Sequence, residues 1–283
     1  MIAASEVRTV AGALGVGTNV IEHDYVLGSF LHYLYQDASV LTKWVFKGGT
    51  ALAKCYFKDY RFSEDLDFTI TKSVTENEFS ENLDAAKAKL QDDTGIITSD
   101  QRSTVETISD EYGKKSVEAK IYYRGPMGQQ GSPRSIRVHL NREEFVAFSL
   151  NERPISHEYS DKSRLPELRV PVYSLEEMFV EKLRAISGQR RFAIGRDLYD
   201  IFHLNASGID VEAAVKAFRG KCEAKGLKVE DIRMDTFEKR IDQYRTDYER
   251  NLIYLVPKEK MIDFEEAWSV SRSSLERAIK ESR

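Results

Sequence analysis

From residue 19 to 36 the apolar side chains Val20, Ile21, Tyr25, Leu27, Phe30, Leu31 and Leu34 recur at helical spacing. Trp44-Val45-Phe46 reads as a short buried strand that Gly48-Gly49 stops, and Thr50 to Phe57 reads as a helix. Leu66, Phe68 and Ile70 then alternate with Asp65, Asp67 and Thr69, which predicts a strand with one polar face. Glu76 to Leu90 is a charged amphipathic helix. Segments 115–123 and 135–142 alternate as strands around a Gly/Pro-rich loop. Beyond 173 the pattern is helical, over 174–187, 196–206, 210–225, 235–254 and 263–280. The elements predict a mixed α/β domain over 1–150, a linker over 151–173 that carries Pro154, Pro166 and Pro171, and an all-α domain over 174–283.

Composition narrows the function classes. With 42 Lys and Arg against 46 Asp and Glu, the formal charge of −4 excludes a polybasic nucleic-acid coat, so any nucleic-acid site must be a local patch. Two cysteines, Cys55 and Cys222, cannot build a disulfide framework and suit a reducing compartment. The uncharged run from Thr9 to Ile21 is too short to span a bilayer and lacks the basic start of a signal peptide. The expectation is a cytoplasmic protein with no membrane partner.

The densest polar signal is Lys47-Gly48-Gly49-Thr50 followed by Arg61-Phe62-Ser63-Glu64-Asp65-Leu66-Asp67. Asp65 and Asp67 lie two apart on a strand and share a face. Aligned carboxylates repel unless a cation sits between them, and hard carboxylate oxygens suit Mg²⁺. Gly48 and Gly49 let backbone approach a ligand, and the helix start after them favours a phosphate. Phosphate cradle and metal strand together are what nucleotidyl or phosphoryl transfer requires. Taken singly, Gly-Gly is usually a turn and Asp-x-Asp a solvated face. Their order along the chain is what makes each reinforce the other. Ser63 either binds phosphate or caps its turn. Glu22 and Asp24 either orient a site loop or lie on a helix surface.

A second signal is the run from Lys182 to Arg196, which holds Lys182, Arg184, Arg190, Arg191 and Arg196 and no acid. It supplies the local basic patch that the overall charge calls for. Asp197 and Asp200 are three apart on a predicted helix and share a face. Asp200 can pair with Arg196 at i,i+4.

Strand–Gly-Gly-Thr–helix–Asp-x-Asp resembles the signature of the DNA polymerase β-like nucleotidyltransferases. The fuller string FKGGTALAKCYFKDYRFSEDLDF at 46–68 resembles the AbiEii/AbiGii toxin family, which includes the MenT toxins. IEHDYVLG at 21–28, VEKLRAI at 180–186 and GRDLYDIF at 195–202 resemble further motifs of that family. The resemblance implies a bilobed nucleotidyltransferase of a type IV toxin–antitoxin or abortive-infection system. Its substrate would be an NTP, its cofactor Mg²⁺, its acceptor the 3′ end of tRNA, and its partner an AbiEi-like winged-helix antitoxin. Carried onto this sequence, Gly48, Gly49 and Thr50 would hold the triphosphate. Asp65 and Asp67 would bind Mg²⁺, Lys182 would contact nucleotide phosphate across a cleft, and Asp197 would join the catalytic group. Next to these motifs, Arg184, Arg190 and Arg191 become candidates for tRNA or triphosphate contact. Where the family commonly carries a third acid on a later strand, this chain has His139, and Glu118 on the preceding strand is an alternative. Two other readings stay open: transfer to a protein or small-molecule acceptor, and a non-catalytic nucleotide-binding partner of an antitoxin.

Overall fold

A computed structural model describes residues 1–109, 115–128, 133–142, 144–190 and 192–283. The side chains of 99–103, 108, 109, 115 and 189 are also left undescribed. Cα packing divides the chain into two compact units. The first comprises Met1–Glu143, Asn151–Val172 and Pro257–Glu259, and the second Glu144–Leu150, Tyr173–Val256 and Lys260–Arg283.

The first unit is built on a seven-stranded mixed sheet. Its strands are β1 (Trp44–Lys47), β2 (Asp65–Ile70), β3 (Ile97–Ser109), β4 (Lys115–Arg124), β5 (Arg134–Asn141), β6 (Asn151–Pro154) and β7 (Arg169–Val172), in the order β3-β4-β5-β2-β1-β7-β6. β2 pairs antiparallel with β1 and parallel with β5, so the strand bearing Asp65 and Asp67 lies inside the sheet. One face is apolar: Phe46, Leu66, Phe68, Val117, Ala119, Val138 and Leu140 are all buried. The helices of this unit are α1 (Ala4–Leu14), α2 (Thr18–Leu34), α3 (Ala38–Lys43), α4 (Gly48–Ala51) and α5 (Glu76–Thr94). Rings lock the helices to the apolar face, with Trp44 stacked on Phe79 at 5.3 Å between centroids and Tyr35 edge-on to Phe68 at 5.9 Å. From Ile21 to Leu34 nearly every residue of α2 is buried, so α2 is a core helix rather than a surface one.

Two readings of the sequence are corrected here. The proline-bearing stretch 151–173 is not a linker, because β6 and β7 pair antiparallel and complete the sheet beside β1. Prolines are tolerated in such short strands near a sheet edge. Glu22 and Asp24 do not lie on a helix surface; both are buried, each with a remote partner described below.

The second unit is mostly helical: α6 (Leu175–Arg184), α7 (Gly195–Ala206), α8 (Val211–Lys216), α9 (Phe218–Glu223), α10 (Met234–Glu238), α11 (Ile241–Arg250) and α12 (Phe264–Ser282). The predicted helix 210–225 is two short helices that meet at Ala217, and 235–254 is α10, α11 and a 3-10 turn. Among the described residues no helix is long and apolar enough to cross a membrane.

Candidate active site

The open face of the first unit's sheet carries the chemistry. Residues opposed in a ladder share a face. The register sets Lys47 opposite Asp67, Asp67 opposite His139, and His139 opposite Glu118. One row across four strands therefore collects the predicted metal carboxylate, the histidine and the alternative acid. His139 Nε2 lies 3.6 Å from Glu118 Oε2. The neighbouring row sets Asp65 opposite Arg137 and Arg137 opposite Lys120. Lys47, which opens the Lys47–Thr50 stretch but has no role assigned to it from the sequence, is buried in the row of Asp67.

Gly48 follows β1 in the left-handed region at φ +78°, which glycine adopts without strain. A Cβ there would fall 2.5 Å from Asp67 Oδ2, so the carboxylate is packed directly on the turn. At Gly49 a Cβ would meet an Arg61 guanidinium nitrogen at 2.3 Å. Arg61 is wholly buried, donates to the Phe62 carbonyl oxygen at 3.1 Å and lies over the Tyr60 ring. The two glycines thus admit backbone to Asp67 on one side and to a buried cation on the other. The sequence shows Arg61 next to the metal strand, but only the fold shows it supporting the turn.

Thr50 is spent differently from the expectation. Its hydroxyl is buried and donates to the Asp65 carbonyl oxygen, which ties the helix after the turn to the start of β2. What Thr50 can still offer a phosphate is its backbone N–H, as residues in a helix's first turn do. Ser63 sits half-buried in the loop before β2. Behind α4 the helix runs on as a π-turn, Leu52–Tyr56, and Lys54 of that turn pairs with Asp24 Oδ2 at 2.7 Å. Tyr159 donates to the same Asp24 oxygen at 2.8 Å. Glu22 Oε1 accepts the Met127 N–H at 2.8 Å and lies against Gly125. The 21–28 motif therefore braces the site from within: Asp24 fixes the helix after the glycines, and Glu22 fixes the turn after β4.

Asp65 and Asp67 are half-buried, and Mg²⁺ commonly takes only one or two protein carboxylates, with waters and substrate phosphates completing its shell. The pair fits that use. Among the described residues no group of three His, Cys, Asp or Glu side chains is placed to hold an ion unaided.

In the helical unit, Lys182 Nζ of α6 lies 2.7 Å from Asp197 Oδ1 and 2.8 Å from Asp200 Oδ2 of α7. Both carboxylates are buried, and Arg190 Nε approaches Asp197 Oδ2 at 3.4 Å. Burial pushes the Asp197 carboxyl up, but the Arg190 and Lys182 cations outweigh it and hold it below its ordinary range. The expected Arg196 partner of Asp200 is joined, at the least, by Lys182, which two carboxylates already claim. Arg184 is half-buried on α6, and Arg191 lies outside the described residues.

A glycine turn packed on a strand aspartate suits a phosphate held beside a cation. The profile described as "Nucleotidyl transferase AbiEii toxin, Type IV TA system" matches residues 32–270, and the chain belongs to that family. No functionally curated protein matches it. In fold it is similar to the MenT4 nucleotidyltransferase toxin of Mycobacterium tuberculosis, with 21% identity, 98% of this chain and 99% of that one covered, and a TM-score of 0.56. It is also similar to JHP933 of Helicobacter pylori, with 18% identity, 94% of each chain covered and a TM-score of 0.55.

Proposed function

We propose that the Gly48-Gly49 turn and the Asp65/Asp67 strand bind an NTP, and that its nucleotidyl group passes to the 3′ acceptor end of tRNA. The observation that carries this reading is the contact at Gly48. Only a residue without a side chain lets phosphate-binding backbone and the Asp67 carboxylate stand within one ion's reach. The tRNA acceptor rests on the resemblance of 21–28, 46–68, 180–186 and 195–202 to toxins of this family. The basic run from Lys182 to Arg196 is consistent with an RNA partner.

The attacking atom is an RNA hydroxyl oxygen. It forms a bond to the α-phosphorus, and the bond to pyrophosphate breaks. Asp65 and Asp67 hold Mg²⁺, which when bound offsets the charge of the triphosphate and of the reacting phosphoryl oxygens. Backbone N–H groups of the Gly48-Gly49 turn take the donor's phosphate oxygens, and Arg61 keeps that turn in place. The hydroxyl proton goes to a group on the same open face. His139 stands beside Asp67 in the ladder and Glu118 one strand further, so His139 is the nearer acceptor. Lys182, Asp197, Arg184 and Arg190 form the charged part of the helical unit offered to nucleotide or RNA phosphate, with Asp197 and Asp200 fixing Lys182. Membership in a type IV toxin–antitoxin family implies an antitoxin, and an AbiEi-like winged-helix protein is the proposed partner.

The test is incubation of the protein with each α-labelled NTP, Mg²⁺ and a total tRNA pool. Label on tRNA supports the reading. Label on protein or on a small molecule moves the acceptor, and nucleotide binding without transfer removes the enzyme.

A further inference from the structure

The open face of the sheet continues past the carboxylates in a way the donor site does not use. From Asp65 the ladder runs to Arg137 on β5 and then to Lys120 on β4. Two residues along each strand, Ser135 opposes Tyr122 on the same face. These four side chains include two cations, a hydroxyl and a phenol ring, and no acid. The Arg137 side chain is 55% exposed and that of Lys120 is 42% exposed.

Each cation has an acid near it, but at the outer limit of an ion pair. Arg137 lies 4.0 Å from Asp65 Oδ1, and Lys120 lies 3.8 Å from Glu118 Oε1. Neither distance is a hydrogen bond. Pairs this exposed are worth little in water, so both heads are available to a stronger anion. A phosphate can take charge-assisted hydrogen bonds from both, which carboxylates at those distances do not.

The direction of the row decides which phosphate. The glycine turn leaves β1, on one side of β2, whereas β5 and β4 lie on the other. Neighbouring strands are about 4.8 Å apart, so the backbone at Lys120 stands roughly 10 Å from β2 and 15 Å from β1. The donor phosphates belong at the turn. The two cations lie beyond the carboxylates, on the side of β2 away from the turn. Tyr122 adds a ring there on which an unpaired base can stack.

We infer that Arg137 and Lys120 seat the phosphodiester backbone of a single-stranded RNA acceptor end next to Asp65 and Asp67. This rests on the function proposed above and names how its acceptor is held.

The experiment uses the full chain and two readouts. The first is fluorescence anisotropy of a labelled single-stranded oligoribonucleotide across a range of salt, without NTP. The second is affinity for a fluorescent NTP with Mg²⁺. Arg137→Ala combined with Lys120→Ala should weaken oligonucleotide binding about tenfold or more. The slope of log affinity against log salt should become shallower by about 0.7 for each phosphate that the variant no longer neutralises. NTP affinity should stay within about twofold, and Arg137→Lys should recover most of the oligonucleotide binding. Unchanged oligonucleotide affinity in the folded double variant overturns the inference. So does an equal loss of NTP affinity, which would give the pair to the triphosphate. Label transfer by the wild-type protein to tRNA is scored separately. Its absence counts against the proposed function, while the anisotropy result still decides the role of the two cations.

Discussion

Asp65 and Asp67 form one pair of aspartates, and Asp197 and Asp200 form another, within a different unit. The first pair is half-buried on an open sheet face, with the Arg137 guanidinium 4.0 Å from Asp65. The second is wholly buried and holds Lys182 at 2.7 and 2.8 Å, with Arg190 behind. Two close carboxylates repel, and a cation between them or a proton on one of them relieves the repulsion. Where the chain supplies a lysine at contact distance in a dry site, the pair is a fixed part of the structure. Where it leaves the pair half-open beside a glycine turn, the role proposed for the pair is to take a cation that comes and goes with the substrate. The difference teaches that spacing alone does not mark a metal site. The setting separates a pair that already holds a cation from one that can still take it.

Removing the fixed cation should give the largest effect. Lys182→Ala leaves two buried carboxylates facing each other, and breaking a buried pair in this way costs about 3–5 kcal/mol. Chemical denaturation should show this as loss of the helical unit's stability. The pH dependence should move as well. The Asp197 carboxyl is held below its ordinary range, so its contribution is complete above the unfolded value and is lost as pH falls through the lower folded one. Without Lys182 that acid limb should shift to higher pH. An unchanged limb and an unchanged midpoint would show that the lysine is not fixed by the pair.

Asp67→Asn probes the open pair and should behave in the opposite way. Transfer should fall by roughly 10²–10³, the scale of losing a group that offsets transition-state charge. The melting temperature should barely change, because a half-buried amide keeps the shape. A variant that folds and transfers at the wild-type rate would detach Asp67 from the chemistry.

Gly48→Ala tests how the open pair is placed. The new Cβ would meet Asp67 Oδ2 at 2.5 Å in a left-handed backbone, and strain of this kind costs about 1–3 kcal/mol. Both stability and transfer should fall, with transfer falling further because the displaced group is the carboxylate itself. Activity that tracks stability alone would leave the turn a purely structural role.

Thr50→Val should be the mildest change. It removes the hydroxyl that serves the Asp65 carbonyl oxygen, a loss of about 0.5–1.5 kcal/mol. Nucleotide affinity should stay near wild type, since the backbone N–H remains. A large loss of NTP affinity without loss of stability would return the hydroxyl to the phosphate.

The open site was legible in the sequence because its parts are local. Gly48, Gly49, Asp65 and Asp67 fall within one strand–turn–helix–strand unit, where period and turn chemistry speak directly. The alternating stretches at 115–123 and 135–142 were legible for the same reason, and they proved to carry Glu118 and His139 into the row of Asp67. What the sequence hid depends on remote partners. Lys54 and Tyr159 hold Asp24, and the Met127 N–H holds Glu22, so of the two readings open for these residues the helix surface falls away and both are core. The i,i+4 spacing shows Arg196 as a neighbour of Asp200, but not that Lys182 also comes to it from α6. β3 is hidden because its sequence is mostly polar and does not alternate cleanly, and β6 and β7 are hidden behind their prolines.

The central claim is that Asp65 and Asp67 hold the cation that comes with the nucleotide. NTP affinity of the wild-type protein and of Asp67→Asn, each titrated with and without Mg²⁺, tests it most directly. The account predicts that Mg²⁺ tightens NTP binding by about tenfold or more, roughly 1.4 kcal/mol, in the wild type and by little in the variant. Equal tightening in both proteins, or none in either, would contradict it.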